Sequence, residues 1–110
     1  MLINLLDSPA SMSGMGAKAA EAAELLSMIA NPVRLLLLCS LVEGEKSVTE
    51  LVVASGVSQS TVSQHLAKLR SIRIVSTRRD AQTIYYKLAS IEAQQILTSL
   101  HRIYCYDKHD

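Results

Sequence analysis

The chain has 110 residues, 49% of them apolar, and a formal net charge of +1. This is the length of one small domain, and the apolar share is too high for a disordered segment. No apolar run is long enough to span a membrane, no basic stretch typical of a secretory signal precedes the first apolar residues, and two cysteines do not make a secreted disulfide scaffold. We therefore expect a cytoplasmic protein without membrane contact.

Positive charge is concentrated in residues 58–87. Six basic residues lie there against Asp80 alone, a net +5, whereas the rest of the chain carries −4. A basic block in an otherwise acidic chain predicts contact with a polyanion such as nucleic acid. A solvated charged surface would have the same composition, so charge alone leaves both interpretations open.

The predicted elements begin with a flexible arm over residues 1–14, followed by a single domain over residues 15–110. The Ala- and Glu-rich composition predicts a first helix over residues 16–30. The pair Asn31-Pro32 then predicts a second helix, because Asn is a good N-cap and Pro suits the first helical position. This Leu-rich helix is expected to be buried.

A capping box and a glycine mark the centre of the chain. Ser47-Val-Thr-Glu50 predicts the start of a short helix over residues 48–55, and Gly56 predicts its end. Ser58 is expected to cap another helix over residues 59–70. Two short helices joined by a turn that contains glycine indicate a helix-turn-helix.

Two β-rich stretches follow, residues 72–76 and 83–88, with a polar and basic link between them. They predict a β-hairpin with a charged tip. Ser90 caps a last helix with an apolar stripe. The order predicts a mainly α (α+β) winged helix-turn-helix with five helices and a two-stranded β-hairpin wing. Because the core of so small a domain is thin, we expect a homodimer formed through the terminal helices.

The second helix of the pair is the candidate recognition helix. Short polar side chains on its outer face would let it enter the major groove of DNA closely, and Gln can read adenine. Basic side chains at its end and on the hairpin would meet phosphates or an adjacent groove. The expected contacts on the helix are Ser60, Thr61, Ser63 and Gln64, with His65 at the margin, and the basic ones are Lys68, Arg70, Arg73, Arg78 and Arg79. A solvated helix without a ligand is the alternative.

Three separated segments resemble the ArsR/SmtB (arsenic-repressor-like) family of bacterial regulators. They are Ala30–Leu35, Ser47–Arg70 and Arg78–Leu88, which resemble in order the family's helix 2 entry, its DNA-binding motif and its wing. The resemblance implies a homodimer that binds an inverted-repeat operator in double-stranded DNA and represses transcription. The family's groove-facing positions correspond to Gln59, Ser60, Ser63, Gln64 and His65.

Many members of this family sense metal ions, but the ligand positions are not filled here. The helix before the recognition helix contains no Cys, and the last helix begins Ser90-Ile-Glu-Ala93. His101 lacks the partner that the family's other site places three residues on, where this chain has Tyr104. One His does not make a tetrahedral site. We predict no metal and no cofactor, with a metal-responsive repressor as the alternative.

The two cysteines are the remaining candidate sensor. By itself Cys39 is typical of a small buried apolar residue, whereas Cys105 follows His101 and Arg102 by one turn. One Cys in the second helix and one in the last resembles the dithiol branch of the family, the BigR, SqrR and HlyU type. That resemblance implies that reactive sulfur species (persulfides and polysulfides), or oxidants, bridge Cys39 and Cys105 and release the protein from DNA.

The alternatives to a DNA-binding repressor are a protein-binding module and an enzyme. A winged-helix module that binds another protein without DNA would have the same basic face. An enzyme is not expected, because the sequence has no Cys-x-x-Cys, no Gly-rich phosphate loop and no compact acid–base constellation.

Overall fold

The computed structural model of the chain describes residues 9–105. Within this range the chain forms five α-helices and three β-strands. They are α1 (Pro9–Ile29), α2 (Pro32–Val42), β1 (Lys46–Ser47), α3 (Val48–Ser55), α4 (Gln59–Ser71), β2 (Val75–Asp80), β3 (Thr83–Leu88) and α5 (Ile91–Tyr104). The predicted winged helix-turn-helix is confirmed, with one additional short strand.

The chain divides into two compact units between Ala30 and Asn31. The first unit contains α1, which begins at Pro9, so residues 9–14 of the predicted arm are helical. Residues 1–8 of that arm lie outside the described residues. The single domain over residues 15–110 stays a prediction. No single helix among residues 9–105 is long and apolar enough to cross a membrane. The segments Gly16–Ile29 and Pro32–Val42 reach the required length and hydropathy only as a pair.

The predicted helix caps are present in the second unit. Asn31 Oδ1 accepts hydrogen bonds from the backbone N–H groups of Val33 (2.9 Å) and Arg34 (3.1 Å). The capping box is complete, because the Ser47 N–H donates to Glu50 Oε1 (2.8 Å) and the Glu50 N–H donates to Ser47 Oγ (3.1 Å). These bonds satisfy N–H groups that a helix start leaves without partners, and so fix where α2 and α3 begin.

Helix α2 lies at the centre of the second unit. It packs against α3, α4, α5 and β3, and its Leu37 and Leu38 are completely buried. Every neighbouring helix contributes fully buried side chains, and β2 adds Val75; those of the helices are Leu51, Val62, Leu66, Leu69, Ala93 and Leu97. The apolar stripe predicted for α4 therefore faces the core, which leaves the opposite face of that helix to solvent.

The sheet is antiparallel with the strand order β1-β3-β2. Strand β1 was not predicted, because it has two residues and pairs only with the distant Tyr85 and Tyr86. The predicted strand over residues 72–76 was placed too early. Helix α4 continues to Ser71 and Arg73 turns the chain with φ 65°, so β2 begins at Val75 and continues to Asp80. The hairpin link is therefore two residues long, and Ala81 has φ 59° there.

The first prediction concerns the turn between α3 and α4. Gly56 has φ 73°, and a Cβ at this position would meet no atom within 4 Å. Substitution Gly56→Ala therefore adds backbone strain without a clash, and we expect it to lower the free energy of unfolding by about 1–2 kcal/mol. Denaturant titration measures this change.

Ala81→Gly is the matched control for this prediction. It relieves the same left-handed strain at the hairpin tip and should leave stability unchanged or raise it. Equal stability of Gly56→Ala and the unchanged chain would contradict the role assigned to Gly56.

Candidate functional site

The outer face of α4 is polar and exposed. Val62, Leu66 and Leu69 point into the core, so the side chains between them point outward. The structure places five of the predicted contacts together on this exposed face: Gln59, Ser60, Ser63, Gln64 and Lys68. Short hydroxyl and amide groups on such a face can reach base edges in the major groove.

His65 lies at the edge of this face and has a partner within the protein. Its side chain is half-buried, and its Nδ1 accepts a hydrogen bond from Arg34 Nε at 3.1 Å. Nδ1 therefore carries no proton in this arrangement, which leaves Nε2–H as the donor. The bond joins the first turn of α2 to the middle of α4. A direct base contact by His65 stays a prediction.

Basic side chains flank the polar face of α4. Lys68 and Arg70 lie in its last turn and are exposed, and Arg79 is exposed on β2. Among the described residues Arg79 forms no ion pair. The arrangement provides positive charge on both the helix and the wing, and positive side chains are the groups that contact phosphates in protein–DNA complexes.

Arg78 differs from Arg79, because its charge is paired within the protein. Its Nε donates to Glu45 Oε1 (2.8 Å) and Oε2 (3.0 Å), and its Nη2 also bonds Oε1. This hydrogen bonding lowers the pKa of the Glu45 carboxyl group below its usual range and raises the pKa of Arg78. The predicted contact of Arg78 with DNA stays a prediction.

The two cysteines line one apolar pocket. Cys39 lies on α2 and is half-buried, and Cys105 ends α5 and is exposed; both are free thiols. The pocket measures about 440 Å³, and its other lining residues are Pro32, Leu35, Leu36, Leu100 and Tyr104. Residues 66 positions apart in the sequence are thus brought to one site. The pocket is open to solvent on the side of Cys105, and its largely apolar lining favours a neutral or weakly solvated reactant.

Burial raises the pKa of the Cys39 thiol, and the nearby Cys105 raises it further. Less of Cys39 is therefore thiolate at neutral pH than for an ordinary cysteine. His101 lies one turn before Cys105 on α5, where a positive charge would favour a Cys105 thiolate. In the structure His101 Nε2 lies 3.6 Å from Glu43 Oε2 instead, so a charge on His101 would be paired with that carboxylate.

No metal centre is formed in the part of the chain that the structure describes. Within residues 9–105 no group of three or more His, Cys, Asp or Glu side chains lies close enough together to hold an ion. A structural zinc site takes four such ligands, and a catalytic one takes three.

Sequence reasoning missed Glu45 and Arg34. Each acts through a partner far along the chain, 33 residues away for Glu45 and 31 for Arg34. Local periodicity and capping patterns do not report such pairs. Glu45 directly precedes β1, which the sequence did not predict, so no local pattern pointed to its pairing with Arg78.

A helix-turn-helix with a β-hairpin wing defines this chain as a winged-helix protein. The sequence pattern described as "Bacterial regulatory protein, arsR family" matches residues 31–77. The chain belongs to this family of DNA-binding transcriptional regulators.

Its similarity to individual members covers most of the chain. It is 46% identical to the biofilm growth-associated repressor of Xylella fastidiosa, over 83% of this chain and 80% of that protein. It is 44% identical to the transcriptional activator HlyU of Vibrio cholerae, over 92% of this chain and 94% of that protein. The solved structure of reduced HlyU from Vibrio cholerae superposes with a TM-score of 0.79 at 46% identity, covering 84% of this chain and 97% of that one.

The second prediction concerns the exposed face of α4. If Gln64 reads a base edge, Gln64→Ala should weaken binding to a selected operator by about 1–3 kcal/mol and change binding to random duplex little. Fluorescence anisotropy with both duplexes measures the difference.

The exposed Gln94 on α5 provides the matched control, since Gln94→Ala removes the same group outside α4. A loss in Gln64→Ala that is equal on operator and random DNA would show that Gln64 does not read sequence.

Proposed function

We propose that this protein is a transcriptional repressor whose reduced form binds an inverted-repeat operator and whose affinity falls when reactive sulfur species bridge Cys39 and Cys105. The observation that carries the proposal is that both cysteines line one apolar pocket. The exposed polar face of α4 and the basic residues beside it support the DNA-binding part. A relative named as a repressor supports the direction of regulation.

The bridging chemistry needs only two thiols and a persulfide, RSSH. A cysteine thiolate attacks the terminal sulfur of RSSH, so RS⁻ leaves and the protein carries a cysteine persulfide. The second thiolate attacks the protein-bound sulfur of that persulfide, forms the disulfide and expels HS⁻. Overall two thiols are oxidised to one disulfide, and RSSH is reduced to RSH and H₂S. Donors with more sulfur atoms would leave a longer polysulfur bridge.

The order of attack follows from exposure. Cys105 is exposed, whereas Cys39 is half-buried and has a raised pKa. Cys105 is therefore the first nucleophile, and Cys39 is the residue that closes the bridge. A disulfide requires the two Cα atoms to lie about 4.4–6.8 Å apart, and longer bridges relax this requirement.

A bridge would act on α4 through α2. Cys39 lies on the same helix as Arg34, which holds His65 of α4, and that helix packs against α5 with its Cys105. Drawing α5 toward α2 therefore shifts the helix that holds the recognition helix. A coupling of about 1–3 kcal/mol, or roughly 5–150-fold in affinity, is enough for a regulatory switch.

An inverted repeat requires two recognition helices, so the proposal includes a homodimer formed through the terminal helices. Helix α5 supports this, because Ile91, Ile103 and Tyr104 are each more than half exposed. Ile103 and Tyr104 are neighbours at the end of α5, and Tyr104 shares the apolar pocket with the exposed Leu36; a contiguous exposed apolar patch of this kind marks an interaction site.

The third prediction tests the dimer. Ile103→Glu should give a monomer in sedimentation velocity, because a charge cannot be buried unpaired at the interface. Val53→Glu is the matched control: Val53 is 77% exposed on α3, and this variant should remain a dimer. An unchanged chain that sediments as a monomer would refute the interface.

The fourth prediction tests the cysteine pair. Cys39→Ser and Cys105→Ser should bind operator like the reduced protein, since neither residue lies on α4. Both should keep that affinity after treatment with a polysulfide, because one thiol can be modified but cannot bridge. Operator binding before and after treatment measures this.

Intact mass under non-reducing conditions identifies the product in each sample. The unchanged chain should lose two hydrogens, or gain whole sulfur atoms as well, and peptides should map the bridge to Cys39 and Cys105. Release of DNA from both single variants would contradict the dithiol switch. Release caused by zinc rather than by sulfur would favour a metal-responsive repressor.

A further inference from the structure

The wing is crossed by a three-residue cluster of Glu45, Arg78 and Tyr85. The Arg78 guanidinium holds both oxygens of the Glu45 carboxylate through its hydrogen bonds. Its central carbon also lies 4.7 Å from the centroid of the Tyr85 ring. Arginine is suited to this position, because its planar group can stack on a ring and bond a carboxylate in two places at once.

The cluster connects the two outer strands of the sheet. Arg78 on β2 lies opposite Tyr85 on the central strand β3, and Glu45 directly precedes β1 on the far side. The side chain of Arg78 therefore extends across β3. The hairpin packs against α2, α3, α4 and α5 and pairs with β1 over two residues, and this cluster adds an attachment of β2 across the sheet to the residue before β1.

The pairing also changes the charge that the wing presents. The carboxylate neutralises the guanidinium and occupies its Nε–H and Nη2 donors, which a phosphate would otherwise use. Hydrogen bonding to Arg78 lowers the pKa of Glu45, so the carboxylate stays ionised, and the pair stays charged, to more acidic pH than an ordinary glutamate would allow. Arg79 is one residue further along β2, so its side chain points to the other face, where it is exposed.

We propose that Arg78 is a wing-positioning residue held by Glu45, and that Arg79 supplies the phosphate contact of the wing. This inference rests on the proposed function, because it concerns how the chain binds duplex DNA. Such an exposed pair contributes little to global stability. We therefore expect its loss to change the direction and the charge of the wing, and to change the free energy of unfolding little.

The salt dependence of DNA binding tests the assignment. Each phosphate contact contributes about 0.9 to the slope of log K against log salt concentration. With a random-sequence duplex long enough for two half-sites, each of the two wings of a bound dimer loses one contact in Arg79→Gln, so the slope should fall by about 1.8, whereas Arg78→Gln should leave it unchanged. Glu45→Gln should increase the slope, because it releases Arg78 to a phosphate.

Two controls separate this release from a general change in charge. The double variant Glu45→Gln/Arg78→Gln should lose the increase in slope. Glu43→Gln removes an acidic charge two residues away, from a carboxylate that lies near Lys46 and His101, and should leave the slope unchanged. Hydrogen exchange of the β2 and β3 amides should quicken in Glu45→Gln and in Arg78→Gln, and not in Arg79→Gln.

The outcomes distinguish this inference from the proposed function. Absence of salt-dependent binding by the unchanged chain would overturn both. If the chain binds DNA and Arg78→Gln lowers the slope as much as Arg79→Gln does, Arg78 is a phosphate contact and only the present inference fails. The same holds if Glu45→Gln leaves both the slope and the amide exchange of the hairpin unchanged.

Discussion

The burial of α2 is the constraint on which the rest of this structure depends. Leu37 and Leu38 are completely buried, and the helix packs against α3, α4, α5 and β3. Close-packed protein interiors transmit displacement, because their side chains have no empty space into which to relax. A displacement of α2 would therefore also displace α4 and β3, which both pack against it. The outer face of α4 can carry short polar side chains, because the opposite face of the helix is buried in this core.

The same helix carries the groups that would connect the proposed sensing with DNA binding. Cys39 faces the apolar pocket that it shares with Cys105, and Arg34 holds His65 on α4. The contact between His101 and Glu43 joins α5 to the end of α2 a second time. A covalent bridge between the cysteines would act on elements that are already in contact. The proposed switch thus needs a small rearrangement within a packed unit, not a large movement.

Local signals in the sequence predicted most of the fold. The Asn31 cap, the Ser47–Glu50 capping box and Gly56 each act within a few residues, so helix boundaries in the centre of the chain could be placed well. The errors arose where distant strand pairing or an unexpected local turn determines the structure. Strand β1 exists only through β3, and β2 starts late because α4 continues and Arg73 turns the chain. For the site, the resemblance to a family indicated the cysteine pair. The partners of Arg78 and His65 required three-dimensional contacts.

Operator affinity of one preparation in three states tests the central claim most directly. The protein is titrated with operator after reduction, after bridging of Cys39 and Cys105 verified by intact mass, and after reduction again. We expect an affinity lower by about 5–150-fold in the bridged state, with full recovery on reduction. An affinity that is the same in the bridged and reduced states would contradict this claim.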